Sequence, residues 1–249
     1  MLGVPPQPGV SLCGVDDPAL PRGARALLEW ASKAGFRAVA IDAAMPDTRP
    51  RDMDRSARRG LAATLRRLEL SLAAIDLWIP PTHLADPAQS DRALAATRAA
   101  LQAAAEIASL SAGRPIVSMT LPDDADALDE IEREATRVGA EVADHAWPVA
   151  GHARHAIRIG IDPATVLSAG ADPVMACAGA GERLALARLS DLGGAGRVAP
   201  GEGRLDLDAY AGALGAAGSG APLVLDLRGV RRQADAAGAV LAHRFGTPF

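Results

Sequence analysis

Eight short apolar runs, each closing on polar residues and most of them followed by a helix-forming stretch, recur along this chain of 249 residues. The clearest copy spans Leu184 to Gly229. It reads LALARLSD, a loop, RVAPGEGRLDLDAYAGAL, a second loop, and APLVLDLRG. Strands that are apolar on both faces and joined by a helical crossover belong to a parallel sheet buried on both sides. Pro200-Gly201-Glu202-Gly203 lies in the connection, where glycine permits turns that a Cβ forbids. Asp206 or Asp208 then caps the helix that carries Tyr210 and Leu214.

The same rhythm runs through the rest of the chain. Strands are predicted at Val10–Val15, Phe36–Ile41, Leu68–Ile79, Arg114–Leu121, Ala140–Trp147, Ala156–Ile161, Leu184–Leu189 and Pro222–Leu227. Helices are predicted at Pro18–Ala34 with Gly35 as the stop, Ser56–Arg67, Ser90 or Asp91 to Leu110, Ala127–Val138, two short pieces near Thr165 and Pro173–Cys177, and about Arg231–Phe245. Eight such units in about 250 residues match a single (β/α)₈ TIM barrel over residues 1–249. No G-x-G-x-x-G stands at a strand-to-helix turn to favour an open doubly wound sheet. Between strands five and six the chain is too short for a full crossover helix, so that helix is expected to be degenerate or missing.

Composition excludes several functions. A net charge of −4 with arginines and acids interspersed argues against a general nucleic-acid binder, which draws its affinity from neutralising phosphates. Lys33 is the sole lysine and falls in the first helix, so Schiff-base chemistry is not expected. Cys13 and Cys177 lack ligand spacing and read as buried free thiols. With no charged, apolar leader and no apolar run of about 18 residues, a cytoplasmic protein without a membrane span is expected. The alanine-rich helices suit a homodimer surface or the barrel's own outer layer equally well.

The functional face of such a barrel is built from the C-terminal ends of its strands. The groups placed there are Asp16, Asp42, His83, Thr120, Asp144, His145, Asp162, Arg188, Asp191, Asp226 and Arg228. Several carboxylates around one mouth require cationic compensation, from a divalent metal or from Arg188, Arg197 and Arg228. Neighbouring residues on a strand face opposite sides, so an inward Asp144 implies an outward His145 unless the strand has ended. Trp78 and Trp147, both at strand ends, are the candidate stacking platforms there.

In order, the segments AGFRAVAID, DLWIPPTHLADPAQSDRALAAT, IRIGIDPATVLSAGADP, LALARLSD, RVAPGEGRLDLDAYAGAL and LVLDLRG resemble the xylose isomerase-like TIM-barrel superfamily. That superfamily includes sugar isomerases, ketose 3-epimerases, inosose dehydratases and endonuclease IV-type nucleases. The resemblance implies one divalent metal (Mn, Mg, Co or Zn) held by acidic groups on strands five, six and eight and a histidine on strand seven. Asp144, Asp162 and Asp226 stand at the three acidic positions. Asp162 matches the family's residue; Asp144 and Asp226 replace glutamates and reach about 1.5 Å less far. Thr165 and Arg188 stand where the family has histidines, and an arginine cannot ligate a metal. His83 resembles the loop histidine that lines the site in relatives.

Two functions follow as expectations. The first is a sugar or polyol isomerase or epimerase acting by metal-assisted proton transfer next to a carbonyl, with Asp144 and Asp226 as the acid/base pair. Its metal ligands are Asp144, Asp162 and Asp226, and its small-molecule substrate is held by His83, Arg188, Arg197 and Trp78. The second is a degenerate relative that binds a small anionic or polyol ligand through an Asp/Arg-lined mouth. An endonuclease IV-like nuclease needs more histidines than the five present.

Overall fold

A computed structural model of the chain describes residues 8–149 and 154–243. Eight parallel strands close into a barrel: β1 (Gly9–Ser11), β2 (Ala38–Asp42), β3 (Ser71–Asp76), β4 (Ile116–Met119), β5 (Glu141–Asp144), β6 (Ile157–Ile161), β7 (Leu184–Leu189) and, after a hairpin, β10 (Leu223–Leu225). Closure pairs β1 with both β2 and β10, so the expected barrel is the observed one. Most strands are shorter than the apolar runs that encode them, although β7 spans Leu184–Leu189 as expected. β3, for example, stops at Asp76 although LWIPP continues, because the residues beyond leave the ladder to build the mouth.

The crossover helices follow their local chemistry. Helix α1 (Ala24–Ala34) ends at Gly35, whose φ of 111° few other residues adopt. Helix α2 (Arg55–Arg67) starts at Asp54, whose carboxylate accepts from Ala57 N. After the short α3 (Pro81–Ala85), the alanine-rich α4 (Ser90–Leu110) buries Ala100, Leu101, Ala104 and Ile107 within the barrel's outer layer. Helix α5 (Ala125–Val138) is capped by Asp124 and closed by Gly139. No helix lies between β5 and β6 among the described residues, as their short connection requires. Helices α6 (Pro163–Ser168) and α7 (Pro173–Ala180) follow β6, and α8 (Leu207–Ala217) is capped by Asp206 rather than Asp208. Helix α9 (Gln233–Ala242) begins later than expected, and the end expected at Phe245 falls outside the described residues. No described helix is long and apolar enough to cross a membrane. Both cysteines are free and buried.

The loop expected after β7 contains a hairpin, β8 (Asp191–Gly193) with β9 (Gly196–Val198). Asp191 organises it. Its two carboxylate oxygens accept from the backbone N–H groups of Leu192, Gly201, Gly203, Arg204 and Leu205 at 2.8–3.0 Å. Gly203 is required there, since a Cβ would lie 2.4 Å from Asp191 Oδ1. The PGEG segment is therefore a fixed wall beside the mouth.

Candidate ligand-binding site at the barrel mouth

Inward-facing residues stack in layers along a barrel's axis. One apolar layer contains Ala40, Ala74, Ile116, Ala143, Leu186 and Val224. Side chains two residues further on share the same face, and those residues are Asp42, Asp76, Ser118, His145, Arg188 and Asp226. The polar floor of the mouth is thus set by the period of the strands. The same phase corrects the expectation for strand five: β5 ends at Asp144, and His145 is the residue that enters the barrel. Its ring packs on Gly160, where a Cβ would approach it to 2.6 Å, and His145 Nε2 lies 2.9 Å from Ser118 Oγ.

Arg188 crosses the floor with no solvent exposure. Its guanidinium donates to Asp76, to Ser118 Oγ at 2.7 Å and to Asp226 at 3.4 Å. Ser11 Oγ donates to the other oxygen of Asp76. Asp226, also fully buried, accepts from Arg197 at 3.3 Å and from Arg228 through both Nε and Nη2. Asp162 accepts from Arg197 and from Ser190 Oγ at 2.6 Å, lies 3.5 Å from Arg228, and caps α6 through Ala164 N. Arg228 stacks on Trp78, 3.7 Å from the ring centroid, with Arg188 4.8 Å from the same ring on its side. Gly14 leaves room for that side chain, because a Cβ there would lie 2.8 Å from Arg228 Cγ.

The electrostatics follow from these contacts. Burial opposes ionisation of Asp226, but Arg188 and Arg228 outweigh it and hold its carboxyl far below the usual carboxylate range. Asp162 is likewise lowered, chiefly by Arg197 against its own burial. Burial, with Asp76 close by, raises the half-buried Asp42. Burial and Arg188 push the His145 imidazole down to about 3, so it is neutral at physiological pH.

That shift has a measurable consequence. As pH falls below about 6.5 the unfolded chain protonates this histidine and the folded one does not, so stability falls. His145 alone is expected to remove about 2 kcal/mol between pH 7 and pH 5. Urea denaturation of wild type and His145→Gln at pH 7 and pH 5 checks this. The variant's stability should depend less steeply on pH.

The expected site residues divide sharply. Asp162, Asp226, Arg188, Arg197 and Trp78 converge in one network. Asp144 accepts from the backbone of Leu121 and Ala146 and lines a cavity of about 430 Å³ beside Arg154 and Arg158. His83, on α3, has Asp86 as its electrostatic neighbour among the described residues. Sequence reasoning passed over Ser11, Asp76 and Ser118. The signal for Asp76 was present, since a lone carboxylate inside the apolar run LAAIDLW complements the lone arginine inside LALARL.

The donor set does not fit the expected divalent metal. Arg188, Arg197 and Arg228 already balance Asp76, Asp162 and Asp226 one for one, and their N–H groups occupy the carboxylate lone pairs a metal would use. Among the described residues no three His, Cys, Asp or Glu are grouped to hold an ion.

No protein-family model and no curated protein matches the sequence. Solved structures match in fold. A D-psicose 3-epimerase with D-tagatose from Clostridium cellulolyticum H10 superposes with a TM-score of 0.73 at 13% identity, over 96% of this chain and 98% of that one. The 3-keto-D-glucoside 4-epimerase YcjR from E. coli gives 0.72 at 16% identity, over 95% and 97%. A fusion of a xylose isomerase-like TIM barrel with a 4-hydroxyphenylpyruvate dioxygenase gives 0.68 at 15%, over 94% of this chain and 41% of that one. The protein has the xylose isomerase-like TIM-barrel fold. At these identities the likeness is one of fold.

Proposed function

We propose that the mouth binds a small polyhydroxylated ligand, sugar or polyol, and that guanidinium groups engage its oxygens where a metal was expected. The observation that carries this reading is the bridging of Asp162 and Asp226 by Arg197 and Arg228. Both arginines keep 23% of their side-chain surface exposed, so they face solvent while anchored from below. Neither Arg228 Nη1 nor Arg197 Nε is committed to an acceptor among the described residues, which leaves N–H donors for ligand hydroxyl or carbonyl oxygens. Trp78 supplies an apolar face beside them.

Isomerisation or epimerisation of that ligand is a second reading, favoured because solved structures sharing the fold include sugar epimerases. It needs a carboxylate basic enough to take a proton from carbon. Asp226, held ionised by three arginines, is a poor base, so the acid/base role expected of it passes more readily to Asp42, whose affinity for a proton burial raises. A guanidinium beside the carbonyl oxygen would stabilise the charge that develops there.

Tryptophan fluorescence titrations with sorbitol and D-fructose, with and without EDTA, test the binding reading. Saturable quenching that EDTA leaves unchanged, and that Arg228→Ala weakens by about ten-fold or more, is the expected result. Binding that requires an added divalent ion would reverse it.

A further inference from the structure

Beside the mouth lies a cavity of about 820 Å³ walled by β9, the PGEG loop and the start of α9. Its polar lining is Arg197, Arg231 and Arg232 against Glu202 and Asp235. Arg197 belongs also to the mouth, where Asp162 and Asp226 hold its guanidinium, and its stem passes beside Gly229, whose Cβ would lie 3.7 Å from Arg197 Cβ. The cavity and the mouth therefore share a wall. Asp235 pairs with Arg232 at 3.6 Å, whereas Arg231 forms no ion pair or hydrogen bond among the described residues. Across the cavity, the loop carrying Glu202 is fixed by Asp191.

We infer that this cavity receives an anionic end of the ligand, a phosphate or a carboxylate, held by Arg231 and Arg232 while the hydroxylated part lies at the mouth. The inference rests on the mouth being a polyol site, and it narrows the ligand to an acidic polyol or sugar. Arginine suits the task because its planar fork meets carboxylate and phosphate oxygens with two parallel bonds. The unpaired Arg231 can engage an anion without breaking an existing ion pair. Arg232 must share with Asp235, so it contributes less.

Sorbitol, sorbitol 6-phosphate and D-gluconate share a six-carbon hydroxylated chain and differ at its end. Calorimetric titration of the full chain with each, and with inorganic phosphate, tests the inference. One of the two anions should bind at least about ten-fold more tightly than sorbitol, and which one does identifies the group. In the Arg231→Ala/Arg232→Ala variant, both substitutions at exposed positions, that advantage should shrink to about two-fold. Equal affinities for all three in the wild type, or an advantage that survives in the variant, overturn the inference and leave the mouth reading standing. Anions that bind in an Arg231-dependent way while sorbitol does not would uphold the cavity and overturn the mouth reading. No binding of any of the four overturns both.

Discussion

Replacing Arg188 with methionine is expected to destabilise the protein by about 3–5 kcal/mol at pH 8, the usual cost of breaking a buried ion pair from one side. Arg188, Asp76 and Asp226 are all fully buried. Asp226 would keep Arg197 and Arg228, but Asp76 would keep only the Ser11 hydroxyl. A carboxylate left in that state takes up a proton more readily folded than unfolded. The folded variant then binds more protons than wild type, so its destabilisation relative to wild type shrinks as pH falls from 8 toward 5. His145, buried in both proteins, lowers the stability of each over the lower part of that range, so the difference between the two is the readout. Urea denaturation at both pH values reads this narrowing gap, and adding Asp76→Asn should restore part of the loss. Equal destabilisation at pH 5 and pH 8 would mean that Arg188 contributes packing rather than charge.

Asp191→Ala is expected to cost about 2–4 kcal/mol and to weaken ligand binding with it. The carboxylate accepts five backbone N–H groups, among them the buried one of Leu205. The exposed loop amides can turn to water; Leu205 N and Leu192 N, in more covered positions, cannot do so as freely. Asp191→Asn should fall between, since its amide group meets donors where an oxygen stood. Gly203→Ala provides an independent check, because its Cβ would collide with the Asp191 carboxylate and with Leu192 O at 2.7 Å. Thermal melts of the three variants should rank Asn as mildest. β9 pairs with the strand that begins at Asp191, so Arg197 should lose its place over Asp162 and Asp226, and sorbitol affinity should fall in parallel. Full retention of binding in Asp191→Ala would show that the hairpin holds Arg197 without this carboxylate.

The barrel was legible because its strands are apolar on both faces and its helices carry local signals such as the cap at Asp206 and the stop at Gly35. Strand phase was less legible. When both faces of a strand are buried, apolar residues do not say which points inward, and Asp144 and His145 were exchanged for that reason. Polar residues mark the inward face instead: Asp42, Asp76, Ser118, Arg188 and Asp226 all fall in one register once the apolar residue two places earlier is known to line the barrel. The partners of each charge lay beyond sequence reasoning, because Arg188 meets Asp76 across 112 positions and only closure of the barrel brings them together. The role of Asp191 was hidden likewise, since five amides from two segments converge only after the hairpin forms.

Metal content tests the exchange of arginine for metal most directly. Purified wild type and Asp162→Ala would be incubated with excess Mn²⁺, Mg²⁺, Co²⁺ or Zn²⁺, desalted and assayed by elemental analysis. Arginines that neutralise Asp162 and Asp226 predict well under about 0.1 equivalent of any ion in both proteins, with no added difference between them. About one equivalent of a single divalent ion in wild type, lost in Asp162→Ala, would contradict the account and return the site to metal-assisted chemistry.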